Sequence, residues 1–541
     1  MPRSKLLLAV LLLALPSSLI AAQTPPARVI EADLSKPRGA LNRMYNFCVG
    51  AGRANEGLRA DWQRQLRRAR TECGFRYIRF HGLFCDDMGV YQEDKQGRPV
   101  YNWQYVDELF DFLTSIGMKP FVELGFMPGA LASGPQTIFW YKANVTPPKD
   151  YAKWEAFIAA FTRHVTERYG ADEVRSWYFE VWNEPNLTGF WMGTTGGKSE
   201  TEFAPIARAE YYRLYETTAR AVKSVDATYR VGGPATAGSG WIDETLAHCA
   251  ENKLPLDFVS THTYATMSGY LDENGSAGTV FSPDRNAVTG EVKGVRERMD
   301  RTAFAKSELH YTEWSSSYTP FDPIHDSYHS AAFILDKIRH IGSAATSMSY
   351  WTFTDIFEEA GPRTTPFHGG FGMLNYQDLA KPSYFAYKFL HRLGDAELVC
   401  ADPDAFVCRD AAGAVQALFW DFTSPTPVRR SSTKSITRRT IPRIRRTRSS
   451  CASPASSPAR TASSPRKSAT APTTYSPPGA ISVHRPSSRA PRSRRCTKSP
   501  PVNLRSTSKS RSASTACSPT AARCAKTTSG SWNCVPSEFR S

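Results

Sequence analysis

The chain has 541 residues, with 67 Lys+Arg against 51 Asp+Glu and a formal charge of +16, long enough for one large domain plus a second. The charge is uneven: from Ser424 onward 24 basic residues face one acidic residue, +23, whereas the rest holds 43 against 50, −7. The bulk of the chain is therefore mildly acidic, which argues against a nucleic-acid-binding domain, and no spacing of the 11 cysteines reads as a zinc site.

The N-terminus, "MPRSKLLLAVLLLALPSSLIAAQ", has a positive start at Arg3 and Lys5, an apolar run from Leu6 to Leu15, and small residues at Ala21 and Ala22. This is the pattern of a secretory signal over residues 1–22, since the run is too short to span a bilayer. An uncleaved anchor is the alternative. No other stretch approaches membrane-spanning length, so the reading predicts a secreted or periplasmic protein with no membrane contact after cleavage.

From Ala27 to Leu393 strand-like runs alternate with amphipathic helical patterns. The strand candidates are "MYNFCVG" (44–50), "FRYIRFHG" (75–82), "MKPFVELGF" (118–126), "WYFEVWNE" (177–184), "YRVGGP" (229–234), "DFVSTHTY" (257–264), "ELHYTEW" (308–314) and "SMSYWTF" (347–353). Between them, "DWQRQLRRARTECG", "YVDELFDFLTSIG" and "DYAKWEAFIAAFTRHVTERYG" end in Gly74, Gly117 and Gly170, where helices tend to stop. Strands alternating with helices imply parallel βαβ units, and eight of them predict a (β/α)₈ barrel over residues 27–393. The competing doubly wound sheet lacks a GxGxxG or GxxxxGK[ST] after its first strand.

"AELVCADPDAFVCRDAAGAVQALFWDF" reads as two or three short strands with a turn at Ala412-Gly413, the start of a small sandwich-like β domain over 394–423. Cys400 and Cys408 flank "ADPDAFV" and in an oxidising compartment could close a small loop. Residues 424–541 are Ser, Arg, Pro, Thr and Ala with almost no apolar periodicity, a composition expected to stay disordered. Two origins compete. One is a genuine basic arm; the preferred one is a shift of reading frame after "VQALFWDFTSPTP", tested by translating the other two frames of the gene.

In a (β/α)₈ barrel, active sites are built where strands end. The second strand ends in His81, the fourth in Asn183-Glu184, the sixth in His262 and Tyr264, the seventh in Glu313-Trp314, and the eighth in Trp351 followed by "TFTDIFEE" with Glu358 and Glu359. Taken singly, each has a bland reading as a core aromatic, a satisfied histidine or a partner for a basic neighbour. Together they place two isolated glutamates on nearly opposite strands of one rim. One protonated and one ionised carboxyl across a cleft suit glycoside hydrolysis, and aromatic faces with polar groups suit a sugar ring.

At these residues the chain resembles a known family. "FEVWNEPN" looks like the acid/base segment of the retaining barrel glycosidases with catalytic glutamates on strands 4 and 7. With "RYIRFHGLFCDD", "STHTY", "HYTEWSSS", "YWTFTDIFEE" and "PFHGGFGML", the set is similar to glycoside hydrolase family 39, the β-xylosidase and α-L-iduronidase family, over Ala27 to Phe422. The resemblance implies Glu184 as general acid/base, Glu313 as nucleophile about 5 Å away, and Asn183 bonded to the sugar 2-OH. His81, His262, Tyr264 and Glu358 or Glu359 would line the glycone subsite, with Trp351 as an aromatic wall. It implies an oligosaccharide or glycoside substrate, and no spacing in the sequence suggests a metal or a nucleotide cofactor.

The resemblance favours terminal β-xylosides. An iduronate-type substrate is the alternative, for which Arg363 after "FEEAGP" could meet the glycone carboxylate. Of other classes, a non-catalytic sugar-binding barrel would be expected to lose one of the two glutamates, and a basic-tailed adhesin rests on the tail alone.

Overall fold

The structure, a computed structural model, describes residues 28–271 and 277–424; the expected signal segment and the basic stretch beyond Ser424 lie outside the described residues. Eight parallel strands close a barrel in chain order: β1 (Cys48–Arg53), β2 (Tyr77–His81), β3 (Lys119–Leu124), β4 (Tyr178–Val181), β5 (Arg230–Thr236), β6 (Phe258–Tyr264), β7 (Glu308–Ser315) and β8 (Ser347–Tyr350). The ring shuts where Tyr350 pairs with Val49. A helix follows each strand: α1 (Ala60–Cys73), α2 (Gln104–Ser115), α3 (Tyr151–Tyr169), α4 (Glu200–Val225), α5 (Ile242–Glu251), α6 (Ala287–Met299), α7 (Tyr328–Ile341) and α8 (Pro382–His391). This is the (β/α)₈ architecture that the alternating pattern predicts.

Local chemistry explains the elements. Along α1, Trp62, Leu66, Ala69 and Cys73 are buried at helical spacing, and Gly74 ends the helix in the left-handed region at φ 77. Asp150 caps α3 by accepting from the backbone N–H of Ala152 and Lys153. The first strand departs from its predicted span: Met44–Asn46 is a 3-10 turn, and the strand begins at Cys48. Its second half, "GAGR", carries a turn-like composition for a packing reason. A Cβ on Gly50 would lie 2.5 Å from the Trp351 ring, so glycine is what lets that indole lie against β1.

The barrel interior is layered. Near the strand N-termini Phe47, Phe121, Tyr178 and Phe258 form an apolar plug, with Phe121 and Tyr178 stacked at 4.8 Å and His310 against them. The opposite, C-terminal half holds the charged and polar side chains, which the plug shields from one side.

A second, antiparallel sheet lies outside the barrel, in the order Ala32–Ala40, Ala396–Cys400, Ala405–Arg409, Val415–Phe419. The three C-terminal strands answer to the strand-like run after Leu393, and the turn falls at Gly413, whose N–H donates to Asp410 O. The strand Ala32–Ala40 had no local signature, because its partner is distant in sequence. Arg28 pins this sheet through Asp402 at 2.6 Å and the carbonyl of Trp420 at 2.6 Å. The loop-closing Cys400–Cys408 bond is not present: both thiols are free and buried. Register is the reason. Cys408 stands opposite Glu397, which leaves Cys400 three positions further along the neighbouring strand, roughly 10 Å away.

Replacing Phe121 with Ala opens a cavity in the plug. It should cost about 3–5 kcal/mol of stability, read as a lower midpoint of denaturant unfolding followed by tryptophan fluorescence.

Candidate active site

The site grows from period-two alternation on β2, which points Arg79 and His81 to the same side. Register does the rest: Glu123 of β3 is the neighbour of Glu180 on β4, and His262 of β6 is the neighbour of Glu313 on β7. Arg79 is fully buried at the centre. It donates from Nε to Glu180 Oε2 at 2.6 Å, from Nη1 to Glu313 Oε1 at 2.6 Å and from Nη2 to Asn183 Oδ1 at 2.8 Å. Its Nη2 also lies 2.9 Å from Glu123 Oε2. Burial works against its charge, but Glu180, Glu123 and Glu313 outweigh burial and hold it firmly protonated.

Glu184 stands just beyond β4 on a turn whose backbone is left-handed at φ 43. A non-glycine residue there is strained by roughly 1–3 kcal/mol. Its N–H donates to Ala235 O on β5 at 2.8 Å, and Trp182, also at positive φ, anchors its indole N–H on Phe190 O at 2.8 Å. Those bonds hold the turn that aims the carboxyl. Burial, with a smaller push from Glu123, raises the Glu184 pKa to about 7 against the pull of Arg79.

A hydrogen-bond chain fixes where the Glu184 proton rests. Burial favours the neutral form of Glu180, but Arg79 overrides it and lowers its pKa, so this carboxylate can only accept. Thr312 therefore donates its hydroxyl to Glu180 Oε1 at 2.8 Å, and its oxygen is left to accept from His262 Nε2 at 3.1 Å. Burial keeps His262 neutral. With Nε2 carrying the hydrogen, Nδ1 is the acceptor, 2.9 Å from Glu184 Oε1. The protonated carboxyl is the form that this arrangement bonds.

Glu313 is held at both oxygens, by Arg79 at Oε1 and by the Tyr264 hydroxyl at Oε2, 2.7 Å. Glu184, His262 and Glu313 bring three polar atoms within 4.8 Å of one another. Glu184 and Glu313 thus present oxygens no more than 4.8 Å apart, a spacing compatible with a retaining pair. That spacing would also suit a cation, but the same atoms already bond to Arg79, Tyr264 and each other. A second trio, buried Asp336 with half-buried His340 and Asp404, is likewise close-set, and there Arg285 bonds to both carboxylates.

His81 Nδ1 lies 2.7 Å from Glu123 Oε2, which turns Nε2 towards Glu313 Oε1 and Glu359 Oε1, each at 3.5 Å. Trp351 packs on His81 at 4.8 Å between ring centroids and forms a wall. Burial and the nearby Glu313 charge raise Glu359 well above the usual carboxylate range. Its neighbour Glu358 turns the other way, into Arg53 at 2.6 Å and Arg59 at 3.3 Å. Of the residues singled out in sequence, Glu184, Glu313, His81, Asn183, His262, Tyr264, Trp351 and Glu359 converge, while Glu358 braces the loop from behind. Arg79, Glu123, Glu180 and Thr312 were not singled out. Their signal was a charged or hydroxyl side chain in the middle of an otherwise apolar strand.

Comparison with known proteins accords with this geometry. The family model for glycosyl hydrolases family 39 matches residues 28–422. The chain is 41% identical over 399 residues to a β-xylosidase of Geobacillus stearothermophilus, covering 72% of this chain and 75% of that protein. It is 44% identical over 366 residues to a β-xylosidase of Caldicellulosiruptor saccharolyticus, covering 67% and 71%. Among solved structures, a monomeric β-xylosidase from Caulobacter crescentus CB15 superposes with a TM-score of 0.67 at 47% identity, covering 71% of this chain and 75% of that one.

Replacing Arg79 with Leu leaves Glu123 and Glu180 buried without their cation. The variant should lose roughly 3–5 kcal/mol at neutral pH. The deficit should shrink as pH falls and the stranded carboxylates take up protons, as measured by chemical unfolding at several pH values.

Proposed function

We propose a specific reaction for this chain, which belongs to glycosyl hydrolases family 39 and is a glycoside hydrolase. It releases terminal β-xylosyl residues from oligosaccharides with retention of configuration, Glu313 acting as nucleophile and Glu184 as acid/base. The observation that carries this is the pair of buried carboxyl groups beyond β4 and on β7, with oxygens that lie within 4.8 Å of one another.

Each oxygen of a carboxylate has two lone pairs. Arg79 and Tyr264 use one on each side of Glu313, which fixes the group and leaves a lone pair free to attack the anomeric carbon. Glu184, protonated in the resting site, gives its proton to the departing oxygen. The C1–O bond breaks as the C1–Glu313 ester forms. Glu184, now ionised, takes a proton from water, whose oxygen attacks C1, and Glu313 is released as carboxylate. The sugar keeps its configuration after two inversions. Asn183, its oxygen engaged by Arg79, offers its NH₂ to the 2-OH. Glu359, held protonated, can donate to a remaining hydroxyl, His81 presents Nε2 to another, and Trp351 lies along the ring.

The β-xyloside assignment draws on similarity to the bacterial β-xylosidases. An iduronate-type glycone would require a cation free to meet its carboxylate beside the two glutamates, and Arg79, the buried cation there, is fully engaged. The substrate would be met outside the cytoplasm, following the signal-like segment at residues 1–22.

Glu313→Gly should lower turnover of 4-nitrophenyl β-xyloside by at least about a thousandfold. Added azide should then give a glycosyl azide of inverted configuration by NMR. Glu184→Ala should still cleave activated aryl xylosides, with azide accelerating it and giving the retained azide. Loss of neither activity would refute both roles.

Because Glu184 titrates at about 7, kcat/KM for poorly activated substrates should fall tenfold per pH unit above that value. Thr312→Val frees His262 to turn its N–H toward Glu184. That favours the ionised carboxyl, so the alkaline limb should move to lower pH.

A further inference from the structure

The loops beyond the pocket carry a surface that the reaction at C1 does not use. Glu359, inside the pocket, accepts at its backbone oxygen from the Trp140 N–H at 2.7 Å. Two residues on, Gly361 lies so close beneath the Trp140 indole that a Cβ there would come within 3.2 Å of the ring. Trp140 itself is 57% exposed. A flat apolar face is thus fixed to the lip of the sugar pocket and left to solvent.

Arg363 comes two residues later. Its guanidinium lies 3.7 Å from the centroid of Phe321, on the loop after β7. Among the described residues no carboxylate bonds to it; burial alone acts on it, lowering its pKa. This is unlike Arg53, Arg79 and Arg285, each answered by two or more acids. Stacking occupies one face of the planar fork and holds it still, and its edge N–H groups remain unpaired. Tyr318, on the same β7 loop, packs against Tyr264 at 6.1 Å, and Tyr264 bonds to Glu313. Trp140 is thus tied to the loop that carries Glu359, and Arg363 to the β7 loop whose Tyr318 packs against Tyr264, so both stand on segments that also hold site residues.

We propose that Trp140 and Arg363 form an aglycone subsite for a leaving group that is both ring-shaped and carboxylated. Trp140 stacks on the ring, and Arg363 meets the carboxylate with a bidentate, charge-assisted bond. Two sources share this chemistry, a uronic acid residue of an acidic oligosaccharide and an aromatic carboxylic acid. The subsite concerns the leaving group and rests on the xylosidase reading only for the glycone used to test it.

The test is a matched pair, 4-carboxyphenyl and 4-carbamoylphenyl β-xyloside, run on the full chain at low salt. The native enzyme should favour the acid in kcat/KM by roughly three- to tenfold, mostly through KM, and the preference should fade as salt rises. Arg363→Ala should bring the ratio to about one, while Arg363→Lys should keep part of it. Both substrates are measured on the same preparation, so partial misfolding cancels from the ratio. Trp140→Ala should raise KM for both members and leave the ratio in place. A second pair, a xylosyl-uronate disaccharide against xylobiose, distinguishes the saccharide source from the aromatic one. Should a screen of nitrophenyl glycosides show another glycone to be preferred, the xyloside reading fails, and the matched pair is made on that glycone. A native ratio near one in both pairs, or a ratio that Arg363→Ala leaves unchanged, overturns the subsite.

Discussion

A single buried cation organises the upper half of this barrel. Arg79 has no solvent to share its charge, and four side chains from three further strands and strand ends take up its donors. Without it, Glu123, Glu180 and Glu313 would be like charges crowded into a medium of low polarity, where repulsion and lost hydration reinforce one another. With it, their different partners separate their behaviour. Glu180 stays ionised, Glu123 rises to about 8, and each can then fix a neighbouring imidazole. His81 is oriented from Glu123, and His262 is oriented from Glu180 through Thr312.

The supports of the site begin well below it. The aromatic plug fills the interior at the strand N-termini, beneath the layer of buried charged side chains. Strand register places acids on adjacent strands in pairs, and the twist of a closed barrel brings those pairs around one arginine. The turn at Glu184 is the one strained backbone point among the two central glutamates. It is held by bonds to Ala235 and Phe190 that do not involve the carboxyl, which leaves that group free to change its proton without loosening its support.

Much of this was legible in the residues. Eight apolar runs with helical patterns between them predict the barrel, and glutamates that end such runs stand out because burying a carboxylate is costly. What escaped was of two kinds. Arg79, Glu123 and Glu180 lie inside strands, where an isolated charged position looks like an exposed face until three of them are seen to share a centre. Glu358 and Glu359 are adjacent and alike, and only the course of the loop after β8 decides which one enters the pocket and which one meets Arg53. The outer strand Ala32–Ala40 and the spacing of Cys400 and Cys408 depended on pairings across long separations, which local patterns do not encode.

That outer strand has a consequence for biogenesis. It leaves the ribosome before any barrel strand, yet its hydrogen-bonding partner, Ala396–Cys400, emerges only after the last of them. Throughout synthesis it must wait with open backbone groups, available to a chaperone or to another nascent chain. The ordering of this sheet is thus a late event that reports completion of the barrel, and a stalled or shortened translation product would show the fault first at its own beginning.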